Sequence, residues 1–323
     1  MNDIQAIIVT WNSGETIARC LDSCRDLTVT VVDNASSDDT VEIARRYPNV
    51  YLISNRENRG FAAAANQGIA RSGADYILLL NPDVELSDSI EPLRQACAAG
   101  ASIAAGRLVD AAGRTQKGFT VRRLPSAVTL AFEALGINRV FPWNAVNRRY
   151  RCLDVDLNSP ADVEQPAGAF LFFSRKLWAD LGGFDELFFP VWFEDVDFCK
   201  RALARGRIRY VPSVAARHVG GRSIAHLDWS SREQYWYVSL LKYASKHFTR
   251  FAFRGVCGAV VLGSALRWVT AVFDERKLSE AIKTYASIVD LAIRCTARGR
   301  MLDPPRVESY QERSVRTITS STE

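Results

Sequence analysis

The chain has 323 residues, 48% hydrophobic and 24% charged, enough to bury one large core or a core with an appendage. This excludes a disulfide-stapled peptide and a disordered tail, and 19 Gly with 11 Pro exclude a collagen-like or low-complexity chain. A formal net charge of +5 is too small to imply nucleic acid as a partner, but the charge is uneven, since Leu241 to Arg300 carries eleven Lys or Arg against four Asp or Glu. Seven cysteines, odd in number and never spaced CxxC, argue against a disulfide framework or a zinc site and read as reduced, buried thiols. The sequence opens Met1, Asn2, Asp3 with neither a basic region nor a cleavable apolar segment, so the catalytic part is expected to face the cytoplasm.

Residues 6–10, 29–34, 50–54 and 76–81 are short β-branched or Leu-rich runs and predict buried strands. Helical patterns at 14–25, 39–47 and 61–72 alternate with them, the second opening with Asp39 and Glu42 at capping-box spacing. Alternation of this kind predicts a parallel α/β sheet, whose ligands gather beyond the carboxyl ends of the strands. There the chain places Thr10, Trp11 and Asn12, then Asp33 and Asn34, then Asn55 to Gly60 with Asn58 among them, then Asn81 and Asp83.

Residues 107–165 are rich in Arg and punctuated by Pro125, Pro142 and Pro160, which predicts a lid or a substrate-facing insertion. Strong patterning returns over 166–220, with an apolar GAFLFF run, an acidic helix start at Glu194 and Asp195, and a strand near 208–216. From Gln234 to Phe273 aromatic and basic residues interleave, and Arg267 interrupts the apolar run 255–273. A charge within a membrane span is costly, so an interfacial helix is expected, with a buried packing helix as the alternative. After Met301 the Pro, Ser, Thr and charged residues predict a flexible tail.

Three groups carry chemistry. In LLLNPDVEL, Asp83 directly follows a strand that Pro82 terminates, so its carboxylate is expected at the sheet rim, able to hold Mg²⁺ or Mn²⁺ against a diphosphate. The alternative is an ordinary turn Asp. Asp33, ending the second strand, can accept from a nucleobase imide N–H, and Trp11 can stack on the same base; an Asx turn and a core aromatic are the competing readings. In the segment around FEDVDFCKR, Phe193, Val196, Cys199 and Leu203 share one helical face, leaving Glu194, Asp195 and Asp197 at the helix start. Acids there also complement the helix dipole, so the catalytic and structural readings both stand.

The order VTWN, VVDNAS, ENRGFAAAANQG, NPDVEL, GGFDE, FEDVDFCKR, HVGGRS resembles the inverting family 2 glycosyltransferases of the GT-A fold, over about residues 4–230, in a variant similar to bacterial rhamnosyltransferase-like members. The resemblance implies a nucleotide-diphospho-sugar transferase fold: a Rossmann-like, mostly parallel sheet with helices on both faces. It implies Asp33, Trp11 and the Asn81-Pro82-Asp83 loop at the base and diphosphate, with Thr10, Asn12 and Asn58 alongside and Gly60 and Asn66 shaping the nucleotide loop. It further implies Asp195, next to Glu194, as general base, and His218 as a second ligand to Mg²⁺ or Mn²⁺ with Asp83, unless His218 is structural. Asn81 stands where the family's DxD motif has its first acid, and Pro190 to Trp192 adds a residue before the ED pair. No QxxRW motif is present, which implies single addition rather than processive synthesis.

The expected organisation is 1–110 for the nucleotide-sugar half, 111–232 for the acceptor and catalytic half of the same domain, 233–300 for a basic amphipathic helical segment that associates with a membrane, and 301–323 for the tail. Expected partners are a dTDP- or UDP-linked sugar donor, a polyprenyl-diphosphate-linked glycan acceptor whose charge Arg122, Arg123, Arg148 and Arg149 can meet, and an anionic membrane surface, with a peripheral location on the cytoplasmic face of the plasma membrane. A sugar-phosphate nucleotidyltransferase is the competing enzyme class, though WNSGET lacks its glycines and Lys. A nucleotide-sugar-binding scaffold is the non-enzymatic alternative.

Overall fold

A computed structural model describes residues 3–220, 227–271 and 278–301; the tail expected after Met301 lies outside these from residue 302 onward. The chain divides into two compact units, Met1–Pro125 with Pro142–Ser223, and Ser126–Phe141 with Ile224–Glu323.

The first unit begins as alternating strands and helices: β1 (Ile4–Thr10), α1 (Gly14–Asp22), β2 (Thr28–Asp33), α2 (Thr40–Ala44), β3 (Val50–Ser54), α3 (Phe61–Ala70), β4 (Tyr76–Leu80), β5 (Val84–Leu86), α4 (Glu91–Ala98), β6 (Ile103–Val109) and β7 (Val121–Arg122). The second unit takes α5 (Ala127–Leu135) and α6 (Ile137–Val140). The first unit resumes with α7 (Ala145–Tyr150), β8 (Ala161–Val163), β9 (Gln165–Pro166), β10 (Phe170–Ser174), α8 (Arg175–Asp180), α9 (Glu194–Leu203) and β11 (Ile208–His218). Last come α10 (Trp229–His247), α11 (Arg250–Ala271) and α12 (Leu278–Arg298) of the second unit.

The nine-stranded sheet runs β3-β2-β1-β4-β10-β6-β11-β5, with β8 also pairing with β11. Strands β3, β2, β1, β4, β6 and β11 point one way, and β10, β5 and β8 the other. The parallel expectation therefore holds for the first four strands, and the later part is mixed. Because the buried strands are apolar on both faces, helices cover both. One face packs Ile17, Cys20 and Leu21 of α1, Ala44 of α2 and Leu93 of α4. The other packs the alanines and Ile69 of α3, Leu177 of α8, and Phe198, Cys199 and Ala202 of α9. The AAAA run of α3 permits close approach: a Cβ at Gly68 would lie 2.9 Å from Ile7 and 3.0 Å from Val32.

The register aligns the strand ends that matter, setting Thr10 opposite Asp33 and Asp33 opposite Ser54. The segment read as an insertion folds in part onto this unit, with Val121 opposite Pro166 and Arg122 opposite Gln165. All seven cysteines are free, and all but Cys97 are buried.

In the second unit α11 packs through Phe253, Val256, Cys257 and Val260. A Cβ on Gly263 would fall 2.0 Å from the Ala134 carbonyl oxygen, so α11 and α5 touch backbone to side-chain-free backbone. The Arg267 guanidinium donates to the Ala134 and Gly263 carbonyls at 2.6 and 3.0 Å, satisfying an α5 carbonyl near its C-terminal end. Ser230 of α10 and Thr284 of α12 share a buried hydrogen bond of 2.5 Å.

A Cβ at Gly106, in the middle of β6, would lie 2.3 Å from the Phe170 ring and 2.4 Å from the Val214 carbonyl oxygen. Both neighbours belong to strands of the central sheet, so neither can yield cheaply. Gly106→Ala is expected to lower stability by about 2 kcal/mol, within the usual range for overpacking, measured as a lower urea midpoint with unchanged slope.

Candidate active site

Parallel strands deliver three polar loops to one rim. Asp33, 1% exposed, accepts from Thr10 Oγ1 at 2.9 Å, from Ser36 Oγ at 2.5 Å and from the Ser36 N–H at 2.9 Å. The Ser36 bonds are the local turn that its residue type offers; Thr10 adds a cross-strand partner. Asn12 holds a left-handed backbone, φ 49°, its Oδ1 accepts the Ser37 N–H at 2.8 Å, and its own N–H reaches Ser36 Oγ at 2.8 Å. Trp11, half-buried beside it, donates its N–H to Ser13 Oγ at 3.3 Å.

The loop before α3 is closed from below. Asn58 Oδ1 accepts the Gly60 N–H at 2.9 Å, and Asn34 Nδ2 donates to the Gly60 carbonyl at 3.1 Å. Gly60 has φ +80°, and a Cβ there would meet the Phe189 ring at 2.8 Å and the Pro190 carbonyl oxygen at 3.0 Å. The Phe61 N–H donates to that same carbonyl at 2.8 Å. The segment at Pro190 is thus seated on the Gly60 loop. Asn66 acts elsewhere: its Oδ1 accepts from Trp178 Nε1 and the Phe184 N–H, each at 2.9 Å, and its Nδ2 donates to the Phe184 carbonyl at 2.8 Å and to Glu186 at 3.1 Å. Its amide is committed to the loop between α8 and α9.

After β4, Asn81 and Asp83 form the second cluster. The Asn81 N–H donates to the Ala169 carbonyl at 3.0 Å, and the Val219 N–H donates to the Asp83 carbonyl at 3.2 Å. The buried Asp83 carboxylate lies 3.6 Å from His218 Nε2, because β5 pairs His218 with Val84. Gln116 Nε2 donates to the His218 carbonyl at 2.9 Å, so Gln116 Oε1, 2.9 Å from His218 Nδ1, must accept the Nδ1 proton. Phe119 stacks on the imidazole, centroids 4.8 Å apart. Burial lowers the His218 pKa, against the pull of Asp83, and favours the neutral ring. Its Nε2 lone pair then faces a carboxylate oxygen, acceptor against acceptor. That donor chemistry suits a cation. Among the described residues no three His, Cys, Asp or Glu gather around one point, so this pair could offer a cation two side-chain ligands, the rest being left to water or phosphate, as Mg²⁺ and Mn²⁺ tolerate.

The third cluster starts α9. Trp192 and Phe193 both hold left-handed backbones, φ 77° and 69°, a costly arrangement for bulky residues and one that collects at functional sites. Asp195 follows. Its Oδ2 accepts the Gly168 N–H at 3.0 Å and Gln165 Nε2 at 3.2 Å, and its Oδ1 accepts the Val196 N–H at 2.8 Å. A Cβ on Gly168 would lie 2.7 Å from Asp195 Cβ, so only glycine lets the carboxylate sit down on this turn. Burial raises the Asp195 pKa, while Arg122 and the Gly168 and Val196 N–H groups oppose the shift. Glu194 is 6% exposed with an unpartnered Oε2. Burial, then the Asp195 charge, pushes its pKa well above the carboxylate range. Within the pair Glu194 is shifted further and so keeps its proton to higher pH than Asp195.

Gln116, Gln165 and Gly168 were not anticipated from sequence. The first two lie in the weakly patterned stretch 107–165, and Gly168 reads only as the start of an apolar run. Of the arginines expected to meet an acceptor, Arg123 pairs with Glu164 at 3.6 Å and Arg148 with Asp154 at 2.8 Å. Arg122 donates to the Gly118 carbonyl at 2.9 Å and lies over the Phe119 ring.

A family model described as Glycosyl transferase family 2 matches residues 5–153. An N-acetylglucosaminyl-diphospho-decaprenol L-rhamnosyltransferase of Mycobacterium tuberculosis is 30% identical over 240 residues, spanning 68% of this chain and 76% of that protein. Glycosyltransferase AglE of Haloferax volcanii is 29% identical over 178 residues, 52% of this chain and 55% of its own. Among solved structures, the mannosyltransferase PcManGT of Pyrobaculum calidifontis in complex with GDP-Man and Mn²⁺ aligns over 91% of this chain and 87% of its own, with 16% identity and a TM-score of 0.49. S. aureus TarS 1-349 in complex with UDP-GlcNAc aligns over 94% of both chains, with 15% identity and a TM-score of 0.47. With its strand-end acids on an α/β sheet, and with identity to a rhamnosyltransferase extending over two thirds of its length, the protein belongs to glycosyltransferase family 2 and is a glycosyltransferase of the GT-A fold.

Proposed function

We propose that the enzyme inverts the anomeric centre and adds a single sugar, L-rhamnose from dTDP-rhamnose being the first candidate, to a hydroxyl of a polyprenyl-diphosphate-linked glycan in cell-envelope synthesis. Donor and acceptor classes are suggested by the relative named as an N-acetylglucosaminyl-diphospho-decaprenol L-rhamnosyltransferase. The observation that carries the mechanism is the Gly168–Ala169 turn: Gly168 donates to the Asp195 carboxylate and Ala169 accepts from Asn81, two residues before Asp83. One short turn therefore ties the acid suited to accept a proton to the acid suited to hold a cation.

Thr10, Trp11, Asn12 and Asp33 bind the nucleoside at the rim, where Asp33 Oδ2, engaged by the Ser36 N–H, retains a second lone pair for a base N–H. Asn58 and Gly60 shape the loop beside it, and Asn66 holds that wall by fixing the Phe184 backbone. Asp83 and His218, with the Asn81 loop, would hold Mg²⁺ or Mn²⁺, which when bound would supply charge stabilisation for the diphosphate. Asp195 takes the proton from the acceptor hydroxyl as its oxygen bonds to the anomeric carbon and the carbon–oxygen bond to the diphosphate breaks, the electron pair leaving with the diphosphate. Desolvation makes Asp195 a stronger base than an exposed carboxylate, and the three N–H donors aim it. Glu194, protonated behind it, adds no competing charge. We place the enzyme peripherally on the cytoplasmic face of the plasma membrane, where such an acceptor resides.

Thermal unfolding with UDP-, dTDP- and GDP-sugars, with and without Mn²⁺ or Mg²⁺, tests the donor. Metal-dependent stabilisation by one nucleotide class, lost in Asp83→Ala, is expected; no stabilisation by any of them would withdraw Asp33 and Asp83 from their assigned roles. Asp195→Asn should lower kcat by about 10² to 10⁴ while leaving donor stabilisation intact, and wild-type turnover would remove Asp195 from its role. Because the Asp195 pKa is raised, the acid limb of the pH–rate profile should lie above the ordinary carboxylate value of about 4. Gly168→Ala should lower kcat with little change in donor binding. Glu194 has a raised folded-state pKa, so the stability it contributes is complete below its unfolded pKa and is lost as pH rises toward the folded one. In Glu194→Gln the fall of Tm as pH rises above the ordinary Glu value of about 4.3 should accordingly be shallower than in the wild type.

A further inference from the structure

Helix α11 is built inside out for a helix in water. Successive residues advance by about 100°, which brings Phe251, Gly255, Gly258, Leu262 and Leu266 into one narrow stripe. All five are exposed, Phe251 at 90%, Leu262 at 55% and Leu266 at 52%. The charged Arg267 lies on the opposite face, its guanidinium bound to the Ala134 and Gly263 carbonyls and over the Tyr237 ring. A surface helix of a soluble protein does the reverse, turning apolar residues in and charges out. By length and composition Arg250–Trp268 would be apolar enough to cross a membrane, yet one face is already used in the core of its unit, through Phe253, Val256, Cys257 and Val260.

At the Phe251 end of the stripe the exposed charge is cationic, from Arg250 and Arg254. On α12 the exposed Lys283, Arg294 and Arg298 outnumber the exposed Glu280 and Asp290, with Arg294 paired to Asp290, beside the exposed Ile282 and Ile293. An apolar stripe edged by net positive charge is the complement of an anionic bilayer interface, where apolar side chains enter the acyl boundary and Lys or Arg stay with the headgroups. We infer that the outward face of α11, centred on Phe251, Leu262 and Leu266, is a lipid-docking surface on which the helix lies in the plane of an anionic membrane. This deepens the lipid-linked acceptor reading and rests on it for its purpose, though not for its chemistry.

The full-length protein should co-sediment with vesicles of phosphatidylcholine and phosphatidylglycerol, far less with phosphatidylcholine alone, and the bound fraction should fall with added salt. The double substitution Phe251→Glu with Leu262→Glu should weaken binding by roughly tenfold or more, with an unchanged unfolding temperature and unchanged transfer to a water-soluble, short-chain acceptor. Should the double variant fold poorly, Leu262→Trp gives a second reading: its indole emission should shift to the blue on vesicles and be quenched by brominated lipid. The inference is overturned if the wild type stays in the supernatant, if the double variant binds equally well, or if sedimentation velocity shows that the stripe instead joins two copies of the chain. Loss of vesicle binding with soluble transfer retained would implicate the surface alone, whereas failure of soluble transfer in the wild type would sink the acceptor reading and leave vesicle binding to stand or fall separately.

Discussion

The site depends on a backbone turn with no side chain to spare. Gly168 offers its N–H to Asp195, and a single methyl there would occupy the space of the carboxylate. The next residue, Ala169, accepts from Asn81 as the chain enters β10, which lies antiparallel between β4 and β6. The reversal of β10 is what brings this turn to the rim where β4 ends. A parallel strand in that place would carry its first residues to the other end of the sheet, and Asp195 would lose its seat on the turn that also holds Asn81.

Burial then makes these groups chemically different from the same residues in water. Glu194 and Asp195 are adjacent in sequence and both desolvated, and like charges in such surroundings separate into one protonated and one charged member. Hydrogen bonds decide which: three N–H donors converge on Asp195, whereas Glu194 Oε2 has no partner. Neutrality of His218 follows from burial too, and Gln116 sets its tautomer. An amide in the weakly patterned stretch thus controls whether Nε2 is a donor or a ligand.

The alternation of strands and helices through residue 80, and the polar rim at its strand ends, were legible because local periodicity and turn residues report on buried parallel strands directly. Helix α3 lays Ala62, Ala64, Ala65 and Ile69 on the sheet, and its start after Gly60 was readable from ENRGF. What was not legible depends on partners far along the chain. Asn66 reads as a nucleotide-loop residue, yet its amide is spent on Phe184 and Trp178, more than a hundred positions away. Gln116 meets His218 across a similar interval, and Gln165 gains meaning only once α9 is placed above it. No local pattern announces such pairs, since a Gln in a loop has the same sequence signature whether it faces water or locks an imidazole.

The apolar run in α11 shows the same limit for composition. Periodicity identifies a face by contrast between apolar and polar positions, and a helix apolar nearly all round offers no contrast, so span, interface and core look alike. Arg267 was the one charged marker, and from sequence it counted as a cost against a membrane span. In the structure it is an inward anchor, satisfied by a carbonyl near the end of α5, with Gly263 opening the space that lets the two helices meet. Since an unpaired guanidinium would not tolerate that position, the anchor fixes the rotation of α11 about its axis. That rotation, and not overall hydropathy, decides which apolar residues are left facing outward.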